Sequence, residues 1–76
     1  MISSNRILAL LKDPQDLRIE EMEKILHEHG YELSNIKGSH YKFKRENSPF
    51  ILIPVHHKKV AKIWVKSAIK KLLFYL

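Results

Sequence analysis

No cysteine occurs among the 76 residues of this chain. Neither a disulfide nor a cysteine-bound metal can therefore stabilise the fold, and a chain this short buries only about 60% of the surface that its unfolded form exposes. Packing of apolar residues, which make up 45% of the sequence, must supply the stability. The absence of cysteine fits the reducing cytosol, and we expect a cytoplasmic protein. The length of the chain predicts a single domain spanning residues 1–76.

Long apolar runs are also absent. A helix that crosses a bilayer needs about 20 predominantly apolar residues, and no uninterrupted run reaches this length. The start of the chain does not have the pattern of a signal peptide, because its short apolar segment is broken by Lys12, Asp13 and Pro14. We therefore expect neither a leader nor a membrane association.

Acidic residues are scarce in the C-terminal half. From Lys37 onward Glu46 is the one acid, against ten lysine and arginine residues, and the net charge of the chain is +6. Most of the acids lie between Asp13 and Glu32. This distribution predicts that the C-terminal half faces a polyanion, either a nucleic acid or an acidic protein.

The five histidines do not have the spacing of a metal site. His27 and His29 lie two apart in a predicted helix and point to different faces, so they cannot chelate one ion together. No cluster of carboxylates adjoins any histidine. We expect no metal and no cofactor.

Glycine and proline are few, at two and three residues, and they mark the boundaries of the predicted elements. A short helix capped by Ser3 or Ser4 ends before Pro14, and a second helix, capped by Asp16, ends at Gly30. Strands are predicted over residues 31–36, 39–45 and 50–55, and a last helix over residues 60–76. This order predicts an α+β sandwich of two layers, with a three-stranded antiparallel sheet and helices on one face. Double-stranded-RNA-binding domains use this α-β-β-β-α layout, here preceded by a short N-terminal helix.

The last helix has an apolar and a basic stripe. Its apolar positions are Ala61, Trp64, Val65, Ala68, Ile69, Leu72, Leu73 and Leu76, and we expect Trp64 to fill the interface between sheet and helix. The basic positions are Lys59, Lys62, Lys66 and Lys70. Such a stripe is commonly a solvated face, but the lack of interleaved acids favours contact with phosphates.

The strand over residues 39–45 carries the candidate site. Tyr41 and Phe43 are predicted to face the core, so that His40, Lys42 and Lys44 share the open face. An imidazole beside two ammonium groups is a proton carrier on a surface suited to phosphate. The simpler alternative is an exposed histidine without a role.

Four short segments of the chain form a distinctive combination. They are a glycine-small-histidine triplet, a proline-x-histidine one strand later, the opening of a basic helix, and an earlier helical stretch that ends in Gly-Tyr-Glu-Leu. These segments occupy residues 38–41, 53–56, 59–60 and 18–33. Together they resemble the HicA toxins. The resemblance runs from about Asp13 to the C-terminus, which leaves residues 1–12 as an N-terminal helical extension of a family core at about 13–76.

The resemblance implies a bacterial toxin that cleaves mRNA and is inhibited by an antitoxin of the HicB type. Members of this family are small mRNA interferases of toxin–antitoxin modules, with a double-stranded-RNA-binding-domain-like fold and one catalytic histidine. By motif that histidine is His40. His56 matches the proline-x-histidine, and it is either a strand-end histidine bonded to backbone or a residue with a secondary role.

The chemistry agrees with such an activity. Cleavage of RNA without a metal needs a base for the 2′-hydroxyl, an acid for the leaving oxygen, and cations near the phosphate. The candidate RNA contacts are Lys37, Ser39, Lys42, Lys44, Lys59, Lys62, Lys66 and Lys70. Two alternatives remain open on the sequence: a non-catalytic RNA-binding module, and a protein whose basic surface docks an acidic partner.

Overall fold

A computed structural model describes residues 4–74, which form three helices and five strands. The elements are α1 (Ser4–Lys12), β1 (Leu17–Arg18), α2 (Ile19–Glu28), β2 (Glu32–Lys37), β3 (His40–Lys44), β4 (Ile51–Pro54), β5 (Lys59–Val60) and α3 (Lys62–Phe74). The α+β class and the α-β-β-β-α arrangement are confirmed. No helix within residues 4–74 has both the length and the apolar character needed to cross a membrane.

The main sheet has the order β2-β3-β4 and is antiparallel throughout. The turn between β2 and β3 has two residues. Gly38 has a φ of +60° there, a backbone conformation that residues other than glycine adopt rarely. Pro54 is the last residue of β4, which is an edge strand, as predicted. At this position the lack of a backbone N–H removes no hydrogen bond between the strands of the sheet.

One face of this sheet is covered by helices and the other is open. Phe43, Ile51 and Ile53 are buried together with the apolar faces of α2 and α3. The buried positions on the two helices are Ile19, Met22, Ile25, Leu26, Val65, Ala68, Ile69 and Leu72. α1 adds Ile7 and Leu10 to this core. The burial of alternate strand residues leaves the intervening side chains on the open face.

A second, two-residue sheet joins β1 to β5 and was not predicted from the sequence. Leu17 pairs with Val60, and the backbone N–H of Ile19 donates to the Lys58 carbonyl at 2.9 Å. This pairing keeps the chain extended as far as Arg18, so α2 begins only at Ile19 and has no side-chain cap.

The prediction that Asp16 caps α2 is therefore wrong. Asp16 Oδ1 instead accepts the backbone N–H of Lys62 at 2.8 Å, at the first residue of α3. The short sheet brings the two segments together, although 46 residues separate them in sequence. Asp16 thus satisfies one of the unpaired N–H groups at the start of the last helix.

The last helix also differs from the prediction at its start. It begins at Lys62 rather than at residue 60, and Lys59 lies in β5, so the basic stripe on the helix consists of Lys62, Lys66 and Lys70. Trp64 is 42% exposed, and the prediction of a core position is wrong. The buried face centres on Val65 and Ile69, and Trp64 lies on its flank. Leu76 lies outside the described residues.

Candidate nucleic-acid interface

Backbone pairing holds His40 in place at the first position of β3. In the register of the sheet it lies between Lys37 on β2 and Pro54 on β4. The preceding carbonyl, that of Ser39, accepts the N–H of Val55 at 2.7 Å, which ties the start of β3 to the end of β4. The histidine side chain is exposed. Its position is thus set by the rigid ladder, and its imidazole is accessible from solvent.

His40 borders an open depression of about 360 Å³ on the uncovered sheet face. The lining residues are Asn35, Lys37, His40, Lys42 and Leu52. Lys42 shares the open face with His40, while Phe43 next to it is buried, as the alternation predicts. The lining thus combines one imidazole, two lysines and the apolar side chain of Leu52, a set of groups that suits a ligand with a phosphate and a ring.

Asn35 and Leu52 were missed by the sequence analysis. Both lie directly opposite Lys42, Asn35 on β2 and Leu52 on β4. The available signal was the two-residue turn at Gly38, which fixes Lys37 opposite His40 and hence Asn35 opposite Lys42.

Not every predicted contact of the basic strand lines the depression. Lys42 does, and its ammonium lies 4.3 Å from the centre of the Phe50 ring, a cation–π contact. Lys44 is exposed opposite Glu32, toward the other end of β3. Ser39 is half-buried in the turn, and neither Ser39 nor Lys44 borders the depression.

The predicted lysines of the C-terminal region lie elsewhere. Lys62, Lys66 and Lys70 are exposed on α3, which belongs to the helix layer on the covered side of the sheet. Lys59 pairs with Arg18 in the small sheet. The fold therefore divides the predicted contacts between the open face and the helix layer.

The comparison with protein families matches residues 19–73 to the family described as the HicA toxin of bacterial toxin–antitoxin systems. This chain belongs to the HicA toxin family. The match runs from the first residue of α2 into α3 and includes every residue of the depression. No curated protein and no solved structure matches the chain. The protein is thus a toxin of a toxin–antitoxin system, and the family implies an antitoxin as its partner.

In this HicA toxin His56 opens a tight hairpin. Its backbone exchanges two hydrogen bonds with Lys59, at 3.0 and 2.9 Å. The two residues of the turn, His57 and Lys58, have φ values of +53° and +62°. Positive φ at both central positions is the hairpin geometry that usually selects Asn and Gly. The side chain of His56 is exposed, and it does not line the depression beside His40.

The side chains of the toxin that could bind a metal ion are those of histidine, aspartate and glutamate. Within the part of the chain that the structure describes, no three histidine, aspartate or glutamate side chains are grouped so that they could hold a metal ion. The Nδ1–H of His29 donates to the Ile25 carbonyl at 2.8 Å, and Nδ1 of His27 lies 3.1 Å from a carboxylate oxygen of Glu32. The first contact lies at the C-terminal end of α2, and the second joins α2 to β2 at the edge of the sheet.

Proposed function

We propose that this toxin is a metal-independent endoribonuclease that cleaves mRNA in the cytoplasm with His40 as its catalytic histidine. One observation carries the proposal: the exposed imidazole lines the same open depression as the side chains of Lys37 and Lys42. Imidazole exchanges protons near neutral pH, and lysines attract the phosphate of a substrate to the same place. The toxin family supports the same conclusion.

The reaction that fits these groups is attack of a ribose 2′-oxygen on the adjacent phosphorus, with cleavage of the bond to the 5′-oxygen. A base must take the 2′-hydroxyl proton, and an acid must protonate the leaving oxygen. His40 supplies one of these transfers, and Lys37 and Lys42 offset the charge that develops on the phosphate oxygens. One imidazole cannot serve both oxygens at once, so we expect a slow enzyme. Slow cleavage is sufficient for a growth inhibitor.

RNA contacts extend from the depression to the remaining lysines. Ser39 lies in the turn just before β3, and Lys44 lies at the end of β3, so the two extend the depression in opposite directions along the chain. Lys59, Lys62, Lys66 and Lys70 provide further positive charge on the small sheet and the helix layer. Because the phosphates are recognised by charge, binding weakens steeply with salt.

The antitoxin partner is of the HicB type and inhibits by covering the open sheet face. A chain with a net charge of +6 attracts an acidic partner. A specific interface buries on the order of 1,600 Å² in total, about half of it on each partner. The toxin's half is roughly 15% of its accessible surface of 5280 Å². Hydrogen exchange of the complex should protect residues 39–44. Protection confined to α2 would rule out direct occlusion.

The central experiment compares three histidine variants during induced expression in bacteria and in cleavage of purified RNA. His40→Ala should abolish growth arrest and cleavage, and it should keep the melting temperature because the side chain is exposed. His27→Ala is the matched control, since His27 is also exposed but lies on α2. His56→Ala tests the histidine of the proline-x-histidine motif, and we expect it to lower RNA cleavage less than His40→Ala does.

The same variants separate the proposal from the alternative of a non-catalytic RNA-binding module. A catalytic role predicts that His40→Ala still binds RNA while cleavage is lost. If wild type binds RNA without cutting it, the protein is a binding module. If purified His40→Ala cuts RNA at the wild-type rate, the assignment of His40 is wrong.

A further inference from the structure

Strand β2 forms an open edge of the sheet. All six of its residues are exposed, and none of its backbone groups bonds to any described residue outside the sheet. Two large apolar side chains on it, Leu33 and Ile36, are 40% and 50% exposed. The opposite edge is β4, where Pro54 removes one donor. β2 is therefore the edge with the longer row of backbone groups available to another strand.

A bulge in β2 determines which side chains share a face. Leu33 lies opposite Phe43 and Asn35 opposite Lys42, so Ser34 is an extra residue. In a regular strand, residues three or five apart lie on opposite faces. Here the bulge places Leu33 and Ile36 together on the helix side, opposite Phe43 and Tyr41. It likewise places Glu32 and Lys37 together on the open side, opposite Lys44 and His40.

We propose that two copies of this chain associate by antiparallel pairing of β2 with β2, about a two-fold axis between Ser34 and Asn35. The sequence Glu-Leu-Ser-Asn-Ile-Lys is self-complementary in this register. Glu32 lies opposite the partner's Lys37, and Leu33 opposite the partner's Ile36. Ser34 and the partner's Asn35, both polar, meet at the axis. Each contact occurs twice, as in any isologous interface.

The bulge is what makes this register possible. Residues that lie opposite each other in an antiparallel pair must share a face. In a regular strand the two-fold register would place Leu33 opposite an Ile36 on the other face, and the pairing would fail. Because the bulge brings both residues to the helix side, the apolar pairs align there and the charge pairs align on the open side. Shifting the register by one residue in either direction would oppose side chains from different faces.

The association is weak and depends on concentration. Six paired residues bury less than the roughly 1,600 Å² of a standard interface, and exposed charge pairs contribute at most about 1 kcal/mol each. Glu32 also contacts His27 at 3.1 Å, but both side chains are about 70% exposed and free to reorient. In the dimer the two sheets form one surface of six strands, with both copies of His40 on the same face.

Charge reversal tests this pairing with matched variants. Glu32→Lys alone places lysine opposite lysine, and Lys37→Glu alone places glutamate opposite glutamate. A mixture of the two variants restores an attractive pair at both ends of the interface. Sedimentation equilibrium over a range of protein concentrations should show wild type rising from 9.0 kDa toward twice that mass. Each variant alone should remain at 9.0 kDa, and the equimolar mixture should recover association.

Two results would overturn the proposal. One is a wild-type protein that stays at 9.0 kDa at every concentration tested, which would mean that the bulge keeps the edge unpaired. The other is association that is equal in the single variants and in their mixture, which would place the contact on another surface. Both variants should remain folded, since residues 32 and 37 are exposed. Glu32→Lys should lower the melting temperature slightly, because the new lysine lies opposite Lys44 on β3.

The absence of cysteine allows a direct check of the register. A Leu33→Cys variant mixed with an Ile36→Cys variant should form a mixed disulfide under mild oxidation, because opposite residues have the Cα separation that a disulfide needs. Each variant alone should form a disulfide far more slowly, since residue 33 is not opposite residue 33. Equal rates for the mixture and for the single variants would contradict the register.

Discussion

At the scale of single residues, the position of His40 in the ladder determines which lysines lie near it. Lys37 lies directly opposite the histidine, and Lys42 is two residues further along the same strand. Lys44 has the same charge and is on the same face, but it lies about 13 Å along the strand. The sequence alone does not distinguish these lysines, but in the sheet they differ in their distance from His40.

This difference gives a prediction for two lysine variants. Lys37→Ala should lower the rate of RNA cleavage by about tenfold or more, because it removes a cation beside the reacting phosphate. Lys44→Ala, the matched control, should lower the rate much less, since a distant exposed charge is screened by salt. Single-turnover cleavage with saturating enzyme measures both. Equal losses would show that the lysines act only through the overall charge.

At the scale of elements, the ends of the helices depend on segments far away in the chain. α2 begins without a side-chain cap, and α3 begins at a residue whose N–H is bonded by Asp16. At its other end α2 is closed by Gly30, with a φ of +87°, and by Arg45, whose guanidinium donates to the His29 carbonyl at 2.8 Å. Each of these contacts joins a helix end to another part of the fold.

Asp16→Ala should therefore destabilise the protein through α3. Loss of a capping carboxylate costs about 1 kcal/mol, which lowers the melting temperature of so small a domain by about 4–8 °C. Asp16→Asn should retain most of the stability because its side-chain oxygen still accepts the bond. Asp13→Ala is the control, since Asp13 is exposed and its backbone N–H, which the substitution keeps, donates to the Ala9 carbonyl. Equal melting temperatures for Asp16→Ala and Asp13→Ala would show that this cap contributes nothing.

At the scale of the whole molecule, positive charge is spread over two sides. The open face carries Lys37, Lys42 and Lys44, and the helix layer carries Lys62, Lys66 and Lys70. A strand of RNA that contacts both groups must pass around an edge of the sheet. The relative contribution of the two sides can be measured through the salt dependence of binding.

Reversing Lys62 and Lys66 to glutamate should weaken RNA binding and leave the melting temperature nearly unchanged. For single-stranded RNA each lost phosphate contact reduces the slope of log K against log salt by about 0.7, so two contacts reduce it by about 1.4. The matched control reverses Lys12 and Lys24, exposed lysines on α1 and α2, with the same change in net charge. If both double variants alter affinity and slope equally, the helix stripe makes no specific contact.

The proposed independence of metal ions can also be tested at this scale. Because the described carboxylates and histidines form no ligand cluster, cleavage should persist in excess EDTA at the rate measured without it. His40→Ala assayed in parallel reports contaminating nucleases. Loss of wild-type activity in EDTA, with recovery on addition of Mg²⁺ or Mn²⁺, would contradict this prediction.

Local patterns in the sequence determined the fold class and the face on which His40 lies. The alternation of apolar and polar residues in β3 directs Tyr41 and Phe43 inward and leaves His40 and Lys42 outward, because the period of a strand is two. The helices over residues 19–28 and 62–74 were likewise visible as apolar stripes, although their first residues were not. The glycine-small-histidine motif pointed to the family that the comparison confirms.

Only the tertiary structure decided features that join distant segments. The pairing of β1 with β5 moved the start of α2 to Ile19, transferred Asp16 to α3 and took Lys59 out of the helical stripe. Trp64 is exposed because the elements packed against α3 determine how much of the helix surface is buried. The bulge at Ser34 depends on the register in which β2 pairs with β3, and the sequence pattern of β2 alone does not predict it. A periodic pattern specifies which side of a segment is apolar, but which segments meet, and at which residue each one ends, is determined by contacts across the whole chain.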